Sequence, residues 1–300
     1  MNYIAGSVSD VGIKRKNNQD SLYYALAEYQ GEKLAYMVIC DGMGGFSKGE
    51  LASAEVLTTF ENWFRKRLPE ILREGFSAEV LREEWYSLAE AENSRVSEYA
   101  SINRLKMGTT LTAALFLGDQ YYIIHVGDCR LYEIRESEVL QLTHDHTVTQ
   151  REIDDGFLSP EDAEHDSRQH ILLQCLGAGR EITPDFVVGT IRPETAYLLC
   201  SDGFRHKFSR DEMLKQLNAQ NNPTKKKIQK KLQTPKESLH LPKYHTFAEL
   251  LSSYLQLQLH LCKKNRLQED THSKDTQKLW LEQKHFFLTH PKELLPTPHF

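Results

Sequence analysis

The sequence predicts an α+β fold in which antiparallel sheets carry helices on their outer faces. Two observations predict it. Four strand patterns, Thr109–Leu117, Gln120–Val126, Arg130–Ile134 and Val139–Leu142, follow one another with short connections, as in a β-meander. Two helical patterns are inserted together after a buried strand, rather than alternating with strands as βαβ units would.

Each element has its own signal. Leu34–Cys40 is a near-continuous apolar run, which predicts a strand buried on both faces. It runs straight into Asp41-Gly42-Met43-Gly44-Gly45. Residues 50–65 repeat apolar side chains at helical spacing, at Leu51, Ala54, Leu57, Phe60 and Phe64. Residues 77–100 do the same with Leu81, Trp85, Leu88 and Val96. Ser159-Pro160-Glu161-Asp162 reads as a helix start, with a capping serine and proline at the first helical position. Phe186–Thr190 and Ala196–Cys200 are two further strands, the second leading into Ser201-Asp202-Gly203. Ser209 to Glu212 is a capping box that opens another helix.

The chain changes character near residue 212. Residues 1–212 hold 22 Lys+Arg against 35 Asp+Glu, whereas residues 213–300 hold 15 against 7. All 16 glycines lie at or before Gly203, where a tail of this length would carry about 6. The tail has no valine, a single isoleucine, Ile228, and 7 of the 13 histidines. It is expected to be a divergent basic segment, helical or disordered. Two origins remain open: a basic extension, or a reading frame that departs from the one that once completed the domain.

The overall balance of −5 gives no support to nucleic-acid binding. No apolar run approaches the roughly 20 residues of a membrane helix, and Met1–Asp10 lacks the layout of a signal peptide. Five scattered cysteines without a C-x-x-C pair argue against a disulfide framework or zinc ribbon and suit a reducing cytoplasm.

The informative feature is a set of aspartates at strand ends. They are Asp20 after Arg15-Lys16-Asn17-Asn18-Gln19, Asp41 before Gly42, Asp128 after Gly127, and Asp202 before Gly203. A single Asp-Gly ordinarily marks a hairpin turn. Asp41 and Asp202 instead terminate apolar runs, where a carboxylate costs free energy unless it is paired or bound to metal. Hard oxygen ligands of this kind suit Mg²⁺ or Mn²⁺ rather than Zn²⁺. Adjacent glycine lets the backbone approach, so that a carbonyl can join the site. Gly44 to Gly49 does not have the order of a phosphate-binding Walker loop.

These segments resemble the bacterial branch of the metal-dependent protein serine/threonine phosphatases of type 2C, the PPM family. The resemblance is carried by Gly12–Asp20, Asp41–Gly45 with Gly49–Ser53, Met107–Thr110, His125–Arg130, Leu142–His146, Cys175–Gly177 and Leu198–Gly203, in order across residues 1–212. It implies a four-layer α-β-β-α sandwich with a two-metal site at one edge. It implies that Asp41 bridges two Mn²⁺ or Mg²⁺ ions, that Gly42 offers its carbonyl, and that Asp202 holds one ion. By the same resemblance Asp20 binds metal-bound water or orients the shell, and Asp128 with Asp202 serves a third, weaker ion. Arg15 would grip the substrate phosphate, for which its planar fork is suited; with Asp41 and Asp202 it forms the expected catalytic set.

The implied reaction is in-line hydrolysis of phosphoserine and phosphothreonine in proteins by a hydroxide shared between the ions. A cysteine phosphatase loop is not expected, because only Cys129 has arginine at the required offset, Arg135, and the intervening residues read as strand. Met43 stands where relatives often carry histidine and cannot donate a proton, so metal-bound water is the expected acid. His144 and His146 are expected to have structural roles at a helix start. Phosphoproteins are the implied partners, with an opposing serine/threonine kinase system, and the chain is expected to act as a monomer. The rival reading is a weak or inactive relative, because the family's last Asp-Asn motif is missing. The remaining tail aspartates, Asp270 and Asp275, are each followed by threonine.

Overall fold

A computed structural model of the chain describes residues 2–9, 11, 17–43, 48–205 and 207–217, and the backbone of 256–262 and 280–282. In chain order the elements begin with β1 (Asn2–Val8), β2 (Asp20–Tyr29) and β3 (Glu32–Met43). Helix α1 (Gly49–Asn62) passes through a wider π-type turn (Trp63–Arg67) into α2 (Leu68–Glu74), followed by α3 (Ala78–Ile102). Then come β4 (Gly108–Thr109), β5 (Leu111–Leu117), β6 (Gln120–Val126), β7 (Arg130–Ile134) and β8 (Val139–Gln141). Short helices α4 (Val148–Asp154) and α5 (Pro160–Ala163) precede β9 (Asp185–Thr190) and β10 (Ala196–Cys200). The last are α6 (Asp202–Arg205), α7 (Arg210–Leu217), β11 (Gln256–Cys262) and β12 (Trp280–Glu282).

The strands form two antiparallel sheets. One runs β1-β11-β10-β7-β8, the other β12-β2-β3-β5-β6-β9, with β4 paired to β3. β3 shows why its apolar run is unbroken. Leu34, Tyr36, Val38 and Cys40 point to a core shared with α1, α2 and α3. The alternate residues Ala35, Met37 and Ile39 point into a second core with Leu131, Tyr197 and Leu199 of the facing sheet. Strand geometry sends successive side chains to opposite faces, so a central strand of a covered sandwich must be apolar throughout. A third core packs Tyr132, Ile134, Leu198 and Cys200 against Phe204 of α6 and Met213 and Leu217 of α7. The result is the expected four-layer α-β-β-α order.

The predicted caps at Ser159 and Ser209 are present, and Ser77 caps α3 as well. Ser77 accepts from the Val80 amide at 3.2 Å and Ser159 from the Asp162 amide at 3.1 Å. Ser209 and Glu212 exchange the two bonds of a capping box.

The expectation of a helical or disordered tail is corrected at two places. β11 lies between β1 and β10, with Leu259 opposite Ala5 on one side and Tyr197 on the other. β12 extends the other sheet beside β2. The period-2 alternation Gln256-Leu257-Gln258-Leu259-His260-Leu261 is a strand pattern, and it outweighs the lack of β-branched residues. The seam at residue 212 also falls inside α7, whose Met213 and Leu217 belong to the third core. Among the described residues no helix is long and apolar enough to cross a membrane.

Candidate metal centre

The β2–β3 hairpin turns at Gln30 and Gly31, both at positive φ (52° and 83°), the turn geometry that matches strand twist. It sets a register in which Tyr29 meets Glu32 and, at the far end, Asp20 meets Asp41. A slip of one residue would send one of the two carboxylates to the other face. Asp202 arrives from the opposite sheet as the first residue of α6, directly after β10. Asp128 sits in the β6–β7 connection, where the chain crosses between sheets. The structure therefore brings all four predicted aspartates to one edge of the sandwich.

Their mutual influence is visible in their proton affinities. The Asp41 carboxyl is pushed well above the usual range, first by removal from water, then by the charges of Asp20, Asp202 and Asp128. The Asp20 carboxyl, opposite Asp41 in the strand register, raises it further by hydrogen bonding. Asp20, Asp41 and Asp202 gathered at one edge favour a compensating cation. The donor set is all oxygen, which fits hard divalent ions. As the side chains stand, no three His, Cys, Asp or Glu groups among the described residues converge into a closed metal cage.

The backbone around Asp41 is held from several sides. Its amide donates to Thr110 Oγ1 at 2.8 Å, and its carbonyl accepts from Thr109 Oγ1 at 3.0 Å and the Thr110 amide at 2.9 Å. The Gly42 amide donates to the Gln19 carbonyl at 3.0 Å. A Cβ on Gly42 would lie 2.2 Å from the Gly49 carbonyl oxygen and 2.4 Å from that of Gln19, so only glycine fits where α1 starts against the strand end. The Ser53 hydroxyl of α1 donates to the same Gln19 carbonyl at 2.6 Å. The Ser201 hydroxyl, 1% exposed, donates to Asp20 Oδ2 at 3.0 Å and ties the two sheets together at the site.

A second polar cluster adjoins the first. Arg205 Nη2 pairs with Asp128 Oδ2 at 2.7 Å, both side chains being nearly excluded from solvent. Its Nη1 reaches Asp145 Oδ2 at 3.4 Å. Arg130 grips Asp145 bidentately, Nε to Oδ1 at 2.9 Å and Nη2 to Oδ2 at 2.7 Å. Burial alone would raise the Asp145 carboxyl, but the Arg130 bonds and the two guanidinium charges bring it below the usual range. For Asp128 burial is the larger influence and, with the Asp202 charge, raises it to about 6 despite Arg205.

Ser201, Thr109, Thr110 and Arg205 received no role from the sequence. Thr109 and Thr110 stand in a recognisable motif, and Arg205 lies three residues after Asp202 in α6, one helical turn away. That spacing was the only available signal. Arg15, within 12–16, lies outside the described residues, as do Gly44, Gly45, Asp270 and Asp275. His146 Nδ1 accepts from the Gly127 amide at 3.2 Å and Nε2 meets Asp185 at 3.2 Å, while His144 is exposed beside Asp154. Burial pushes the Cys200 thiol up to about 12 and raises Cys40 and Cys129 well above the usual range, which disfavours a thiolate nucleophile at all three.

The family model described as protein phosphatase 2C matches residues 13–235. Serine/threonine protein phosphatase PstP of Mycobacterium tuberculosis (strain H37Rv) is 32% identical over 211 residues, 70% of this chain but only 38% of the mycobacterial protein. Protein phosphatase PhpP of Streptococcus pneumoniae serotype 2 is 31% identical over 208 residues, 69% of this chain and 80% of its own. A crystal structure of the PstP catalytic domain in complex with two manganese ions superposes with a TM-score of 0.64 at 26% identity, covering 87% of this chain and 98% of that one. With a family model that runs through every strand end of the acidic edge, the chain belongs to the protein phosphatase 2C family.

Proposed function

We propose that the chain is a metal-dependent protein serine/threonine phosphatase acting on phosphoserine and phosphothreonine. The observation that carries this reading is the convergence of Asp20, Asp41, Asp128 and Asp202 from both sheets. The manganese-bound PstP domain supports Mn²⁺ or Mg²⁺ as the cofactor.

In this reading Asp41, Asp202 and the Gly42 carbonyl would hold the ions, and Asp20 would orient the surrounding shell. When bound, the ions supply Lewis acidity and lower the pKa of water toward neutrality. Ser201 orients Asp20, and Thr109 and Thr110 lock the Asp41 backbone. These contacts keep the carboxylates in place before substrate arrives, so little reorganisation is needed during reaction. Arg15 is assigned to the substrate phosphate from its motif alone. Phosphorylated proteins are the substrates; the relatives named as serine/threonine phosphatases support that class.

The test is hydrolysis of a chromogenic phosphate ester and of a phosphothreonine peptide, with Mn²⁺ and with a chelator. Asp41→Asn keeps the shape and removes the bridging charge. It should lower the metal-dependent rate on the order of a hundredfold or more while leaving the far-ultraviolet circular dichroism unchanged. Activity within a few-fold of the parent would overturn the assignment.

A further inference from the structure

Asp128 is the aspartate of the acidic edge with a cation already in place. The Arg205 guanidinium lies 2.7 Å from Asp128 Oδ2, and the two side chains are 6% and 7% exposed. Arg205 reaches this position because it follows Asp202 by one turn of α6, which directs both residues to the same side of that helix. Its other terminal nitrogen is steadied by Asp145 at 3.4 Å. Asp145 is itself fixed by the bidentate Arg130 and by Gln141 Nε2 at 3.0 Å. The guanidinium is thus tethered to the backbone and braced at both ends, unlike a mobile counter-ion.

A divalent ion coordinating Asp128 would need an oxygen at roughly 2.0–2.2 Å. Oδ2 is already engaged by the Arg205 guanidinium at hydrogen-bond distance, and that fixed, buried positive charge repels a divalent ion approaching the same carboxylate. The residues around Asp128 therefore do not fit a third metal ion. We infer that Arg205 serves as a built-in cation that neutralises Asp128 in place of a third divalent ion, so that metal is held only at the Asp20, Asp41 and Asp202 side of the site. This rests on the metal-centre reading above.

The test counts bound Mn²⁺ per full-length chain, by equilibrium dialysis and by the electron paramagnetic resonance of free ion, independently of activity. Asp128→Asn should leave the count equal to that of the wild type. Arg205→Met should add one weaker site, Arg205→Lys should not, and the Asp128→Asn/Arg205→Met double variant should lose the added site. Loss of an ion from Asp128→Asn in the wild-type background, or a folded Arg205→Met protein with an unchanged count, would overturn the role of Arg205 alone. If Arg205→Met does not fold by circular dichroism, Asp128→Asn decides by itself. A wild-type chain that binds no Mn²⁺ would overturn the metal centre and this inference with it.

Discussion

The Ser201 hydroxyl donates to the Asp20 carboxylate at 3.0 Å, a bond between residues 181 apart in the chain and in different sheets. It joins the end of β10 to the start of β2 where the acidic edge is assembled. Ser201 is fully enclosed, so its hydroxyl has no easy substitute in water. Ser201→Ala should cost about 1–2 kcal/mol of stability, the net worth of a bond to a charged group. It should also weaken Mn²⁺ binding by roughly 10-fold, as loss of an orienting partner does. Urea denaturation and Mn²⁺ titration calorimetry read the two effects, and unchanged metal affinity would assign the bond to sheet packing only.

Gly42→Ala tests the contact between β3 and α1. The added Cβ meets backbone oxygen atoms at 2.2 and 2.4 Å, which a side-chain rotation cannot relieve. Overpacking of this kind costs about 1–3 kcal/mol, and here the shift must move Gln19 or the start of α1. The expected outcome is a Tm lowered by roughly 4–10 °C together with reduced metal-dependent activity. A parental Tm would show that the strand end and the helix are not in contact as described.

His125 makes stability depend on pH. It is fully buried, its Nδ1 lies 2.8 Å from Thr112 Oγ1, and burial followed by the charge of His146 lowers its pKa from 6.5 to about 4. Between those values the unfolded chain binds a proton that the folded protein does not. Stability should therefore fall as pH is lowered from about 6.5 to about 4, by up to about 3 kcal/mol, and level off below. His125→Gln keeps a hydrogen-bonding partner for Thr112 and removes the titration. The difference between the two proteins in urea midpoint across pH 4.5–7.5 isolates the contribution of His125; parallel curves would refute it.

Leu259→Pro probes β11 through the backbone. Residue 259 lies between Ala5 and Tyr197, so proline there removes a ladder donor from the middle of a sheet. We expect a loss of about 1–2 kcal/mol or more and faster hydrogen exchange in β1 and β10. Unaltered protection in both strands would mean that they do not pair through the tail.

Much of this protein is written in short-range pattern. The apolar run Leu34–Cys40 announced a strand covered on both faces, and the two cores on either side of β3 are the consequence. The serine caps at Ser159 and Ser209 marked helix starts because the bonds they make span only three residues. The aspartates after apolar runs pointed to the acidic edge because a carboxylate at the exit of a buried strand demands a partner. The alternation in residues 256–262 was equally legible, but the tail's composition concealed it. What tertiary structure alone decided is which side chains meet. Asp128 is 77 residues from Arg205, and Ser201 is 181 from Asp20. Periodicity reports which face of an element is apolar. The partner a polar group finds depends on register between strands and on the order of strands in each sheet, and those are settled only when the two sheets close on their common core.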